Sequence, residues 1–313
     1  MLFDVSFTSA SGAPGQVCEL ASLSEKMGFH SVWMAHDLLW DNAWVVCGAI
    51  ARSTTRIFVG PGIVNPYSST PSEIAMAAAT LDNISEGRCI LGIGPGARLM
   101  LQEGGIEQTH VIQTLGKAIG YLKDALSPDS TSLHVPISHR IPIYVGCQSL
   151  RLLEHVGMWQ VGALPLLTPP SYASNAIQAI KKGEKKAGVG VADVDLIASF
   201  LVSISKDEEE SRRAFARFIM AILPHLSQNQ LSEAGVLLSD VPDLHKVYSE
   251  KGWEGLPDRV FRLGITDVES CIRSIEEARR VGFGRVKFGS PLGPDKEEAI
   301  RILADEVTPH FAG

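Results

Sequence analysis

Eight short apolar runs recur along the chain, at residues 2–7, 31–34, 57–59, 89–93, 141–145, 162–167, 196–204 and 285–288. Runs of this length that lack a polar face read as strands covered on both sides, the situation of a parallel sheet. Between most of them lie stretches with helical period, at 16–27, 43–53, 71–84, 111–125, 149–156, 173–187 and 268–281. Parallel strands need long crossovers, and a strand–helix alternation repeated eight times within one domain's length is the pattern of a closed (β/α)8 TIM barrel. A doubly wound open sheet is the alternative. No glycine fingerprint follows the first run, which weighs against the dinucleotide-binding version of that sheet. The reading adopted is one barrel domain over 1–313, interrupted by a mostly helical insertion at about 206–262 between the seventh and eighth strands.

Charge and composition narrow the partners. A formal net charge of -7 argues against a nucleic-acid or anionic-membrane surface, which needs a basic patch, and leaves a small-molecule substrate as the expected partner. The cysteines Cys18, Cys47, Cys89, Cys147 and Cys271 show no CxxC spacing, so neither a zinc site nor a disulfide framework is indicated. His134 and His139 sit in a Ser/Pro-rich loop without a carboxylate or thiol at ligand spacing, and no metal is assigned. The N-terminal MLFDVSF has no signal-peptide character, and no apolar run reaches the roughly 18 residues of a membrane span, so a cytoplasmic protein is expected.

In a barrel of this type chemistry belongs to the C-terminal ends of the strands and the loops that follow. GPGIVNPYSSTP, Gly60 to Pro71, follows the third strand and crowds two glycines and three prolines beside Asn65 and Tyr67. Such a loop is either a rigid connection or a backbone shaped for a ligand. SEGRCILGIGPG, Ser85 to Gly96, ends the fourth strand in glycines, Gly94 and Gly96 among them, which alone means close backbone approach or a tight turn.

Taken together and in order, GPGIVNPY, ISEGRCILGIGPG, IPIYVGCQ and VKFGSPLGPDKEEAI resemble the coenzyme F420-dependent methylenetetrahydromethanopterin reductases and their luciferase-like relatives. The resemblance implies F420 lying across the strand C-termini, hydride transfer to or from a substrate such as a tetrahydropterin, and a homodimer built through barrel helices. It implies a cis peptide at Gly62–Ile63 supporting the back of the deazaflavin, with Val64 and Asn65 facing the cofactor and Gly94 and Gly96 close to it. It also implies that Cys147, Gln148 and Ser149 open a helix whose N–H groups receive the cofactor. Cys147 itself reads as a packing residue, with no His beside it in sequence. Residues 289–294 would close the barrel mouth.

Three polar positions depart from the family. The reductases carry a carboxylate in the first strand, in a pattern like FGIEF, where this chain reads FDVSF with Ser6. They carry another after the glycine loop, where this chain has Ala97. WMAHD presents His36 and then Asp37, reversing the family's acid–His order, and GMWQVGALPL replaces GxxADGV near the sixth strand. The candidate catalytic residues are therefore His36, Asp37 and Ser6. Trp33 and Trp40 either stack near the ring or pack the barrel. Three readings stay open: an F420-dependent oxidoreductase, an FMN-dependent luciferase-like monooxygenase, and a non-catalytic flavin- or F420-binding relative.

Overall fold

A computed structural model describes residues 1–168, 170–188, 195–226, 228–232 and 234–311. The strands are β1 (Leu2–Phe7), β2 (Ser31–Met34), β3 (Phe58–Pro61), β4 (Leu91–Ile93), β5 (Ile143–Val145), β6 (Gly162–Ala163), β7 (Ile197–Ser203) and β8 (Arg285–Leu292). Every pairing is parallel, in the order β3-β2-β1-β8-β7 for one group and β4-β5-β6 for the other. Single bridges join the groups at Val59 with Cys89 and at Ala163 with Leu196, which closes the (β/α)8 barrel. The barrel helices are α1 (Pro14–Lys26), α2 (Ala43–Ser53), α3 (Pro71–Ser85), α4 (Arg98–Glu103), α5 (Val111–Ala125), α6 (Leu150–Trp159) and α7 (Pro170–Ala187). Between β7 and β8 come α8 (Glu208–Ile222), α9 (Gln228–Ser232), α10 (Val241–Lys251) and α11 (Asp258–Phe261), then the barrel helix α12 (Val268–Val281), with α13 (Lys296–Ile302) after β8.

Local chemistry marks where the helices begin. Asn42 caps α2, Thr70 and Glu73 form a reciprocal capping box with Pro71 at the start of α3, and Asp207, Asp267 and Asp295 cap α8, α12 and α13. Each cap satisfies N–H groups that a helix start leaves without partners. Strand side chains alternate. Val5, Phe7, Val32, Met34, Val286 and Phe288 point outward into the layer between barrel and helices, while Trp33, Tyr144, Leu164 and Ile197 fill the inside. Phe215, Phe261, Val260 and Leu223 give the 208–261 segment a separate apolar cluster, and Leu201 and Leu167 tie it to the barrel.

Sequence-read elements and structure differ chiefly at the sixth strand, which shortens from 162–167 to Gly162–Ala163, because Leu166 and Leu167 turn their N–H groups to Gln148, while Thr168 N rejoins β7 on Ser199 O at 2.9 Å. The eighth strand runs on to Leu292 through a cis Ser290–Pro291 peptide.

Candidate functional site

The N-terminal end of the barrel is closed by one buried polar network. The Arg285 guanidinium, 3% exposed, reaches Asp4 Oδ2 through Nε at 2.8 Å, and through Nη1 it reaches Tyr144 Oη at 2.8 Å and Asp195 Oδ2 at 2.9 Å. It also contacts the Ser31 hydroxyl. Asp4 accepts from Ser31 Oγ at 2.7 Å and from Trp33 Nε1 at 2.9 Å. A buried charge needs such partners to stay charged. Asp4, Tyr144 and Asp195 favour the charged guanidinium strongly enough to outweigh burial, the largest influence on it, so Arg285 is held above its ordinary range.

At the other end the polypeptide makes a cradle. The Gly62–Ile63 peptide is cis, and Ile63 turns its side chain into the barrel. Room for it comes from missing side chains. A Cβ built at Gly92, Gly94 or Gly146 would stand 3.0, 2.8 or 2.8 Å from an Ile63 carbon. Beyond the bulge, Val64 bonds in register with β4, its N–H on Gly92 O at 3.0 Å and its carbonyl receiving Gly94 N at 2.9 Å. Asn65, 4% exposed, uses its Oδ1 inside the loop, accepting from Tyr67 N at 3.1 Å and Ser68 N at 2.9 Å. That side-chain turn shapes the connection to α3. Gly96 has φ +75°, and Gln108 Nε2 pins the glycine loop through Pro95 O at 2.6 Å and Gly96 O at 3.2 Å.

His36 and Asp37 follow β2 at the rim. His36 Nδ1 accepts from Ala43 N at 3.2 Å at the start of α2, so the neutral ring carries its proton on Nε2. Burial lowers the His36 pKa, and Asp37 opposes the fall. Burial raises the Asp37 pKa, and His36 and His225 of the 208–261 segment oppose the rise. Ser6 points into the barrel from β1 opposite Trp33, which is fully buried on Asp4 and edge-on to Tyr144, a packing role. Trp40 is 65% exposed and Ala97 lies exposed at the start of α4.

After β5, Ser149 caps α6, its Oγ accepting Leu152 N at 3.1 Å. Gln148 spends its carboxamide on the loop after β6, donating to Leu167 O at 2.7 Å and accepting from Leu166 N and Leu167 N. Cys147 is buried and burial pushes its thiol pKa up, the reverse of an activated nucleophile.

Reading the sequence did not single out Asp4, Tyr144, Asp195, Arg285 or Lys287. The signal was present: RVKF and LFDV put charged residues on alternate positions of runs otherwise read as fully buried. Lys287 is 6% exposed and, among the described residues, forms no hydrogen bond or ion pair. Burial pulls its pKa down to about 8, with Asp4 opposing.

A cleft of about 340 Å³ lies at the opposite end of the barrel, lined by Lys123, Arg140, Tyr144, Gln160 and Asp195. Its two cations are spent on backbone carbonyls, Lys123 on Trp159 O and Arg140 on Lys123 O. Strand N-termini form that face, so the mouth around Gly62–Ile63 is the better candidate for chemistry.

With this closed parallel barrel and glycine-lined mouth, the chain belongs to the luciferase-like monooxygenase family, whose model matches residues 2–285. Within that family its sequence is similar to F420-dependent oxidoreductases. It is 29% identical to a 5,10-methylenetetrahydromethanopterin reductase of Archaeoglobus fulgidus, over 92% of this chain and 93% of that protein. It is 24% identical to an F420-dependent glucose-6-phosphate dehydrogenase of Microbacterium testaceum, over 99% of this chain and 97% of the relative. Among solved structures, the coenzyme F420-dependent tetrahydromethanopterin reductase from Methanopyrus kandleri superposes with a TM-score of 0.84 at 25% identity, covering 99% of each chain.

Proposed function

We propose that the protein is a coenzyme F420-dependent oxidoreductase that moves a hydride between the deazaflavin and a small-molecule substrate. The observation that carries this reading is the cradle: a cis bulge at Gly62–Ile63 seated on Gly92, Gly94 and Gly146, with Gly96 beside it. A flat ring system fits where backbone rather than side chains forms the surface, and a Cβ at Gly94 would also stand 2.7 Å from Gly146 O. Gly62, Ile63, Val64 and Asn65 would hold the ring, with Gly94 and Gly96 at its edge. Backbone N–H groups opening α6 at Cys147, Gln148 and Ser149 would receive an anionic part of the cofactor. When bound, F420 supplies a two-electron hydride carrier.

The chain's own residues then have defined tasks. His36, its Nδ1 accepting from Ala43 N, offers its Nε2–H at the rim as a hydrogen-bond donor to the substrate. Asp37, whose pKa burial raises, is the neighbouring carboxyl group, and Ser6 supplies a neutral hydroxyl from β1. The reaction to assay first is reduction of methylenetetrahydromethanopterin, the reaction named for the Archaeoglobus relative. Residues 206–262 are read as an insertion in a single barrel domain, and the protein as a cytoplasmic homodimer. No helix among the described residues is long and apolar enough to cross a membrane.

The second reading, an FMN-dependent monooxygenase, is favoured by the family match itself. Calorimetric titration with F420 and with FMN decides between them. Tighter binding of F420 is expected; tighter binding of FMN would transfer the protein to the monooxygenases, and binding of neither would refute the cradle's assignment.

A further inference from the structure

Above the Arg285 network the interior of the barrel changes character on the side of β7, β8 and β1. Lys287 on β8 pairs in register with Ser199 on β7 and with Asp4 on β1, so all three project inward. The next inward positions toward the mouth on those strands are Gly289, Leu201 and Ser6. Lys287 is 6% exposed, and Arg285 and Tyr144 fill the layer beneath it. The Ser199 hydroxyl is fully buried and also has no hydrogen-bond partner among the described residues. An ammonium and a hydroxyl left unpaired side by side in a barrel are costly to folding, and such groups persist where a ligand completes them. Both present protons, so the missing partner is an oxygen carrying lone pairs or negative charge.

We propose that this floor binds the reacting oxygen of the substrate, with Lys287 holding it and supplying its proton, and that the substrate pair is therefore a carbonyl compound and its alcohol. The inference rests on the hydride-transfer reading above and narrows its substrate class. In the reducing direction the carbonyl carbon gains a hydride, the C=O π pair becomes a lone pair on oxygen, and the Lys287 ammonium gives that oxygen a proton. The reduced deazaflavin is the two-electron donor and ends oxidised; the amine regains its proton from water. A methylene iminium is itself a cation, and a buried ammonium beneath it raises its energy. The floor therefore favours a carbonyl over the methylenetetrahydromethanopterin reaction that sequence similarity puts first for assay, in keeping with Ser6 and Ala97 in place of carboxylates.

Around Lys287, Asp4 faces it from β1, Arg285 lies one layer below on its own strand with Asp195, and β7 and β2 present Ser199 and Trp33. The test begins without cofactor. Protein labelled with ¹⁵N-lysine is titrated with pH and with isobutyrate, a small carboxylate standing in for the alkoxide, and the Lys287 signal is identified by its loss in Lys287→Met and, independently, in Lys287→Arg. A midpoint near 8 that rises when isobutyrate binds is expected. Lys287→Met should weaken isobutyrate roughly 10- to 100-fold, and Lys287→Arg should restore part of the loss. F420 titration of the same variants should stay within about two-fold of the parent. A Lys287 signal indifferent to isobutyrate, or equal binding by Lys287→Met, overturns the oxygen site; the signal in the parent protein decides the matter if the Met variant fails to fold. Failure of F420 to bind while isobutyrate does would sink the cofactor reading and leave the site standing. F420 reduction is finally followed with primary and secondary alcohols, and no turnover with any of them by a protein that binds both F420 and isobutyrate overturns the substrate class.

Discussion

Gly94→Ala perturbs the cradle at its tightest point. The added methyl would lie 2.7 Å from Gly146 O and 2.8 Å from Ile63 Cδ1. Comfortable carbon contacts begin near about 3.5 Å, so something must move by roughly 0.7 Å. Gly146 O cannot retreat easily, because Gly146 N is bonded to Ile93 O at 2.8 Å within the β4–β5 pairing. Ile63 is hemmed in by Gly92 and Gly146 as well, so the strain passes to the Gly62–Ile63 bulge. Overpacking of this kind costs about 1–3 kcal/mol. If the bulge is the cofactor's platform, the same displacement weakens F420 by roughly 5- to 150-fold. Urea unfolding of the free protein and fluorescence titration with F420 read the two effects separately. Gly120→Ala is the control: its Cβ would meet nothing within 4 Å on the exposed side of α5, and it should stabilise by about 0.5–1 kcal/mol. A Gly94→Ala protein as stable as the parent, with unchanged F420 affinity, would refute the reasoning about the cradle.

Three further outcomes are expected. Asp4→Ala leaves the Trp33 indole without its acceptor and Arg285 with only the half-exposed Asp195 carboxylate, and should cost about 3–5 kcal/mol by urea unfolding, with Asp4→Asn intermediate; a loss below about 1 kcal/mol would show that the network contributes little. His36→Ala removes a hydrogen-bond donor at the rim and should slow single-turnover F420 oxidation roughly 10²- to 10³-fold with cofactor affinity preserved, and an unchanged rate would clear His36 of catalysis. Burial lowers the pKa of both His30 and His36, Arg285 adding to the effect on His30, so between their folded values and about 6.5 the unfolded chain holds protons that the folded chain does not. Stability should therefore fall as pH drops through that window, and the His30→Gln, His36→Gln double variant should flatten the fall; an equally steep profile would assign the acid sensitivity elsewhere.

Much of the barrel was legible in the chain because its strands are short, apolar and regularly spaced. Residues 2–7 and 31–34 coincide with β1 and β2, and the helical stretches at 43–53, 111–125 and 268–281 coincide with α2, α5 and α12. Periodicity reports which face of an element is buried, and these elements bury one face or both. The six-residue helix α4 was not legible: RLMLQE is less than two turns and has no side-chain cap at Ala97. The cis peptide at Gly62–Ile63 came from the resemblance of GPGIVNPY to the reductase family, and the structure has it there. The partners of Arg285 were out of reach for the opposite reason, for Asp4 and Arg285 are 281 residues apart and only barrel closure makes them neighbours. Gln148 shows the limit for candidate site residues. Its position after β5 was readable, but its engagement with Leu166 and Leu167 depends on where the sixth strand ends.

One guanidinium joins side chains from β1, β2, β5 and β8 and the residue that leads into β7. Arg285 thus acts as a keystone at the end of the barrel remote from the mouth, and it divides the molecule into two regimes of tolerance. At that end, removing a partner of the guanidinium leaves a buried charge less well compensated. The mouth lies apart from this network and is shaped by its own contacts around Ile63. What holds the ring of strands together and what shapes the mouth are thus separate sets of residues, which makes the mouth the place to graft new specificities and the keystone the place to leave alone.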